Sequence, residues 1–145
     1  MHVILHYIMV DIVDCIDTRT HIQVPLKSIA FDLSVHDIMC ALDITFSYIN
    51  TTHDTLETLF TFPVDVSTAL VSMIATTPTI TKSAKIIEKQ KAKAIYTQEK
   101  IKGNNPIMVT NSKTTDVIKM DIGKIAPNEW LNIKISVAFM ATIED

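Results

Sequence analysis

The feature that most constrains this chain is an apolar side chain at every second position. Ile29, Phe31, Leu33 and Val35 alternate with Ser28, Ala30, Asp32, Ser34 and His36. Ile38, Cys40, Leu42, Ile44, Phe46 and Tyr48 then form one face of a second run, with Asp43, Thr45 and Ser47 on the other. Near the end, Leu131, Ile133, Ile135, Val137 and Phe139 repeat the pattern against Asn132, Lys134, Ser136 and Ala138. Successive side chains of a strand point to opposite faces, so these runs specify half-buried strands and exclude helices.

The first two runs are expected to pair as a hairpin, and the turn-like cluster NTTHD at 50–54 closes the second. Leu56, Phe60, Phe62 and Val64 keep one parity, with Pro63 marking a strand end or a sheet edge because it lacks a ladder donor. A short strand follows at about 69–75, and TTPT turns the chain. Ile118, Met120 and Ile122 alternate next, and GKIAPNE at 123–129 reads as a tight connection between two antiparallel strands. Each strand has one apolar face that must meet another layer. The expected fold is therefore mainly β (α+β), an antiparallel β-sandwich of seven to eight strands.

One stretch departs from this pattern. EKQKAKAIYTQEKIKG, residues 88–103, is charged and favours one amphipathic helix at about 87–102, packed on the sandwich and stopped by Gly103. Its start is either a cap at Ser83 or Ile87, since Ile80, Ala84 and Ile86 share a parity that also extends a strand. Two seams are open to it: Ile87, Ala94 and Ile101 at heptad spacing, or Ala92 and Tyr96 one turn apart.

At 145 residues, 48% apolar and with net charge −3, the chain is expected to form one domain, 1–145, of the soluble globular class. The opening MHVILHYIMVDIVD lacks a basic flank and is too short to span a membrane, so residues 1–21 read as an N-terminal strand or arm. Cys15 and Cys40 are too few for a disulfide framework and lack metal or redox spacing. Two buried thiols in a reducing, cytoplasmic compartment are expected.

Four segments in order carry a family resemblance: VPLKSIAFDL (24–33), LFTFPVD (59–65), EKQKAKAIYTQEKIKG (88–103) and DIGKIAPNEW (121–130). Together they resemble the VIT domain of inter-alpha-trypsin inhibitor heavy chains and the vault-associated poly(ADP-ribose) polymerase, over about residues 22–143. Glu99 replaces the helix alanine usual in that pattern, and Asn128 replaces the glycine after the turn proline. Asn visits the left-handed region, which keeps the turn possible. The resemblance favours Ala92 and Tyr96 as the packed helix face. It also implies that a von Willebrand factor type A domain often follows, so metal-dependent adhesion would belong to that other domain.

No catalytic, cofactor-binding or metal-binding residues are assigned from the sequence. DVSTA, Asp65 to Ala69, falls one serine short of the magnesium loop of von Willebrand factor type A domains. The histidines at 2, 6, 21, 36 and 53 form no HExxH or Cys/His cluster. Gly103 and Gly123 make no phosphate cradle, and no GxSxG elbow occurs. NTT at 50–52 matches a glycosylation sequon, read as a coincidence. Lys82, Lys85, Lys89, Lys93 and Lys100 would share a helical sector if the helix began early. Of these, Lys89, Lys93 and Lys100 are the candidate partner contacts.

The expected function is a non-catalytic protein-protein interaction or scaffold module, with protein partners in a larger assembly and no cofactor. The alternative is binding of an anionic surface, nucleic acid or acidic lipid, by the lysine face. Nucleic acid is disfavoured, because Arg19 is the sole arginine and no aromatic side chain but Tyr96 interleaves the lysines.

Overall fold

A computed structural model describes residues 2–4, 13–64, 67–84 and 116–144. Ten strands occur among them: β1 (His2–Ile4), β2 (Asp14–Asp17), β3 (Leu26–His36), β4 (Met39–Ile49), β5 (Leu56–Val64), β6 (Thr68–Thr76), β7 (Thr81–Ser83), β8 (Asp116–Ile125), β9 (Trp130–Met140) and β10 (Thr142–Glu144). They form a five-stranded sheet ordered β3-β4-β9-β6-β7, a three-stranded sheet ordered β2-β5-β8, and a β1-β10 pair. All pairings are antiparallel. The count exceeds the expected seven to eight because β1, β7 and β10 have three residues each, too few for an alternation to show.

The alternating runs fall where the pattern put them. β3 and β4 form the expected hairpin, with Phe31 opposite Ile44 and Leu33 opposite Leu42. Asp37 adopts a positive φ of 54° in the two-residue turn, a conformation that Asp tolerates better than most residues. Pro63 lies at the penultimate position of β5, beyond Thr61 where the β2 pairing ends.

Between the two sheets lies an apolar core. Ile44 and Phe46 of β4, Leu70 and Met73 of β6, and Leu131, Ile133 and Ile135 of β9 are buried from one side. Phe60, Phe62, Met120 and Ile122 close it from the other. The ring centroid of Phe46 lies 5.5 Å from that of Phe60 and 6.3 Å from that of Phe62, and Tyr48 lies 6.4 Å from Phe60. These tilted and edge-on contacts join the layers with the geometry aromatic rings prefer.

Three expectations need correction. The connection 123–129 does not join paired neighbours: β8 belongs to the three-stranded sheet and β9 to the five-stranded one, so this turn crosses between layers. A local turn signal shows that the chain reverses, and strand partnership is decided by contacts distant in sequence. Gly123 itself lies within β8 at φ 102°, beside the register shift between Thr58 and Leu59, and the turn is made instead at Asn128 with φ 64°. Ser83 ends β7 opposite Ile74, and Ala84 N–H donates to the Met73 carbonyl at 3.0 Å. Strand pairing thus displaces a helix cap at Ser83, and Lys82 sits on β7 with its ammonium donating to the Asp121 carbonyl at 2.5 Å. The later helix start and the whole stretch 87–102 lie outside the described residues, and no helix occurs among the described ones.

The third correction concerns β3. Its apolar side shares the core-facing side of the sheet, since Ile29, Phe31, Leu33 and Val35 each pair with a buried residue of β4. Phe31 and Val35 are nevertheless 53% and 54% exposed. Among the described residues three strands face five, and β3 is the outermost strand on its side.

Candidate functional site

Two places among the described residues combine unusual chemistry with accessibility. One is an open cleft of about 620 Å3 whose lining includes Arg19, Thr20, Asp54, Thr55, Glu57 and Lys124. The other is the uncovered strand β3.

The cleft is built on two buried polar side chains. Asp17 ends β2 and is 1% exposed. Its Oδ2 accepts from the Thr20 hydroxyl at 2.6 Å and the Thr20 N–H at 3.2 Å, and its Oδ1 accepts from the Glu57 N–H at 2.9 Å. The Thr20 hydroxyl, followed by the Glu57 N–H, holds this carboxyl below the usual carboxylate range in spite of burial. Arg19 Nε stands 3.9 Å from Oδ1, and its guanidinium also donates to the Thr55 carbonyl. The carboxylate is thereby committed to fastening the turn after β2 onto β5. Asp followed three residues later by Thr is a side-chain-to-backbone turn signal that sequence reading could have caught.

Asn50 plays the same part on the other side and is wholly buried. Its amide nitrogen donates to the Asp54 carbonyl at 2.8 Å and the Ile125 carbonyl at 3.0 Å. Its Oδ1 accepts from Thr52 N–H at 3.0 Å and Thr52 hydroxyl at 2.6 Å. Every hydrogen-bonding direction of the amide is used, which gives NTT a purely structural meaning in the folded chain.

Elsewhere the reactive groups are withdrawn. Cys15 and Cys40 are free and buried, and burial followed by the nearby Asp14 charge pushes the Cys15 thiol up to about 12. Burial likewise raises the Tyr48 phenol. Among the described residues no three His, Cys, Asp or Glu side chains group to hold a metal ion. No helix there is long and apolar enough to cross a membrane. Asp65 lies outside the described residues, while Thr68 and Ala69 of the same DVSTA segment are buried in β6. Lys89, Lys93 and Lys100, the candidate contacts from sequence, also lie outside the described residues, as does Tyr96.

Strand β3 differs in kind from these. It is eleven residues long and pairs, among the described elements, with β4 alone. Phe31, Leu33 and Val35 lie exposed in a row along it, with Ile29 half-buried beside them and Leu26 and Ile22 exposed at its start. The alternation named these residues correctly and assigned them to the interior.

Comparison with known proteins agrees with this architecture. The family model described as "Vault protein inter-alpha-trypsin domain" matches residues 26–137. Von Willebrand factor A domain-containing protein 5A of Rattus norvegicus is 29% identical over 106 residues, covering 72% of this chain and 13% of that protein. The Homo sapiens protein of the same name is 28% identical over 105 residues, with the same two coverages. The chain therefore spans 13% of the length of these relatives.

Proposed function

This chain belongs to the vault protein inter-alpha-trypsin (VIT) domain family, and we propose that it serves as a non-catalytic interaction module within a longer protein. One observation carries the reading: the exposed apolar row Phe31, Leu33 and Val35 on a sheet edge. Solvated edges are normally short, charged or interrupted, and contiguous exposed apolar surface marks a place where another polypeptide sits. The relatives support a modular role, since a chain matching 13% of their length leaves the bulk of them to other parts. The polar cleft supports it as well, because Asp17 and Asn50 spend their hydrogen bonds on holding turns in place. Free buried cysteines suit a reducing, cytoplasmic setting.

The test compares the immobilised chain with a variant carrying Phe31→Ser, Leu33→Ser and Val35→Ser, both checked for native circular dichroism. The wild-type surface is expected to retain a defined polypeptide, either a copy of itself or another, that the variant releases. Retention unchanged by the three substitutions would remove β3 as the interaction surface.

A further inference from the structure

We propose that β3 binds a second copy of this chain, edge to edge and antiparallel, about a two-fold axis at Phe31. This rests on the reading of β3 as an interaction surface and names its occupant.

The hydrogen-bond alternation of β4 shows which backbone groups of β3 face outward. Asn50 N–H donates to the Glu129 carbonyl at 3.0 Å and Ala141 N–H to the Ile38 carbonyl at 2.7 Å, so even-numbered positions on β4 turn toward β9. Ile49 N–H donates to the Pro25 carbonyl at 3.3 Å, so odd positions turn toward β3. The β3 partners of those odd positions are Ser28, Ala30, Asp32, Ser34 and His36. In an antiparallel ladder the alternate residues point their N–H and C=O groups to the opposite side. Those are Ile29, Phe31, Leu33 and Val35, the same residues that carry the exposed apolar row. Backbone and side chains of this edge therefore ask for the same thing, a strand with an apolar face.

Among the described residues the other edges of the two larger sheets are blunted. β2 has four residues and β7 has three, including the exposed Lys82. β8 sets Lys119, Asp121 and Lys124 along its exposed side. Between Ile29 and Val35 β3 has no proline and no charge on its core-facing side, and its bulge and Lys27 lie before that run, at Leu26/Ser28.

With like charges kept apart and the pairing kept within the strand, the register centred on Phe31 sets the most apolar side chains against one another, whereas an axis at Ala30 would put Leu33 against Lys27. With the axis at Phe31, Phe31 meets its own copy and Ile29 meets Leu33, with Val35 set against Lys27 at each end, while Ala30 meets Asp32 and Ser28 meets Ser34 on the other side. No like charges face each other. An axis at Asp32 would oppose two carboxylates, which cross-strand pairs disfavour. An axis at Leu33 would set Ile29 against Asp37, which lies in the turn with φ 54°.

Sedimentation equilibrium of the 145-residue chain over a wide concentration range reads the association, and cysteine substitution reads the register. The expected mass is twice 16.2 kDa at high concentration. Phe31→Lys should weaken the dimer about tenfold or more with circular dichroism unchanged, while Val117→Lys, at an exposed apolar position on the β8 edge, should leave it intact. Hydrogen-bonded partners in an antiparallel pair lie about 5.5 Å apart between Cα atoms, within reach of a disulfide. Phe31→Cys should therefore cross-link to a dimer under mild oxidation and Asp32→Cys should not; the buried Cys15 and Cys40 do not compete. A monomer at all concentrations, a dimer insensitive to Phe31→Lys, or cross-linking through Asp32→Cys in preference to Phe31→Cys would each overturn the proposal. A monomer whose β3 row still retains a different polypeptide overturns the occupant and leaves the interaction surface standing.

Discussion

Strands β3 and β9 are written in the same alphabet and lead opposite lives. Both are eleven residues long, and both set aliphatic or aromatic side chains at every second position. In β9 the row Leu131, Ile133 and Ile135 is wholly buried, flanked by β4 and β6 and roofed by the three-stranded sheet. In β3 the equivalent row is half-buried at Ile29 and exposed at Phe31, Leu33 and Val35. Alternation thus states which side of a strand prefers an apolar environment, and the width of the opposing layer decides whether it obtains one.

The largest difference is expected from one truncation made on both strands. Ile135→Ala should lower unfolding free energy by about 2–5 kcal/mol, through lost transfer energy and a cavity that dense packing cannot close. Leu33→Ala, at 39% exposure, should lose far less, below about 1 kcal/mol. Urea unfolding at a concentration where the chain is monomeric checks both. Comparable losses would mean that β3 is covered in solution.

A smaller effect should come from the turn that feeds β9. Asn50 bridges the carbonyls of Asp54 and Ile125, and its own carbonyl accepts from Asn128 N–H at 2.8 Å just before β9 begins. Asn50→Ala leaves the buried Ile125 carbonyl short of a donor, and a cost of about 1–3 kcal/mol is expected in the same assay.

The smallest and most local effect belongs to the turn that feeds β3. Asp17 has a lowered pKa in the folded chain, so its contribution is present above its unfolded value, about 3.9. That contribution is lost as pH falls through the depressed folded value. Hydrogen exchange followed from neutral to acid pH should show amides at 17–24 losing protection before those of β9. Asp17→Asn should remove this acid sensitivity. Simultaneous loss in both regions would show that the Asp17 turn is not a separate unit of stability.

Much of this fold was legible because strand periodicity is a short-range property. The hairpin of β3 and β4, the run of β9 and the end of β5 at Pro63 all follow from side-chain parity and missing donors within a few residues. Candidate site residues were less legible. Asp17 looks like any polar residue near a turn until Glu57, forty positions away, supplies its N–H. Asn50 reads as a glycosylation site until Ile125 is brought to it.

By itself, the sequence determined that this chain builds pleated layers and which side of each strand is apolar, since those follow from covalent alternation and local sterics. Only the tertiary structure decided that β8 and β9 part into different sheets, that five strands face three, and that β3 is left at the margin. Those outcomes depend on contacts between residues far apart in the chain, and no local pattern encodes how wide the covering layer will be.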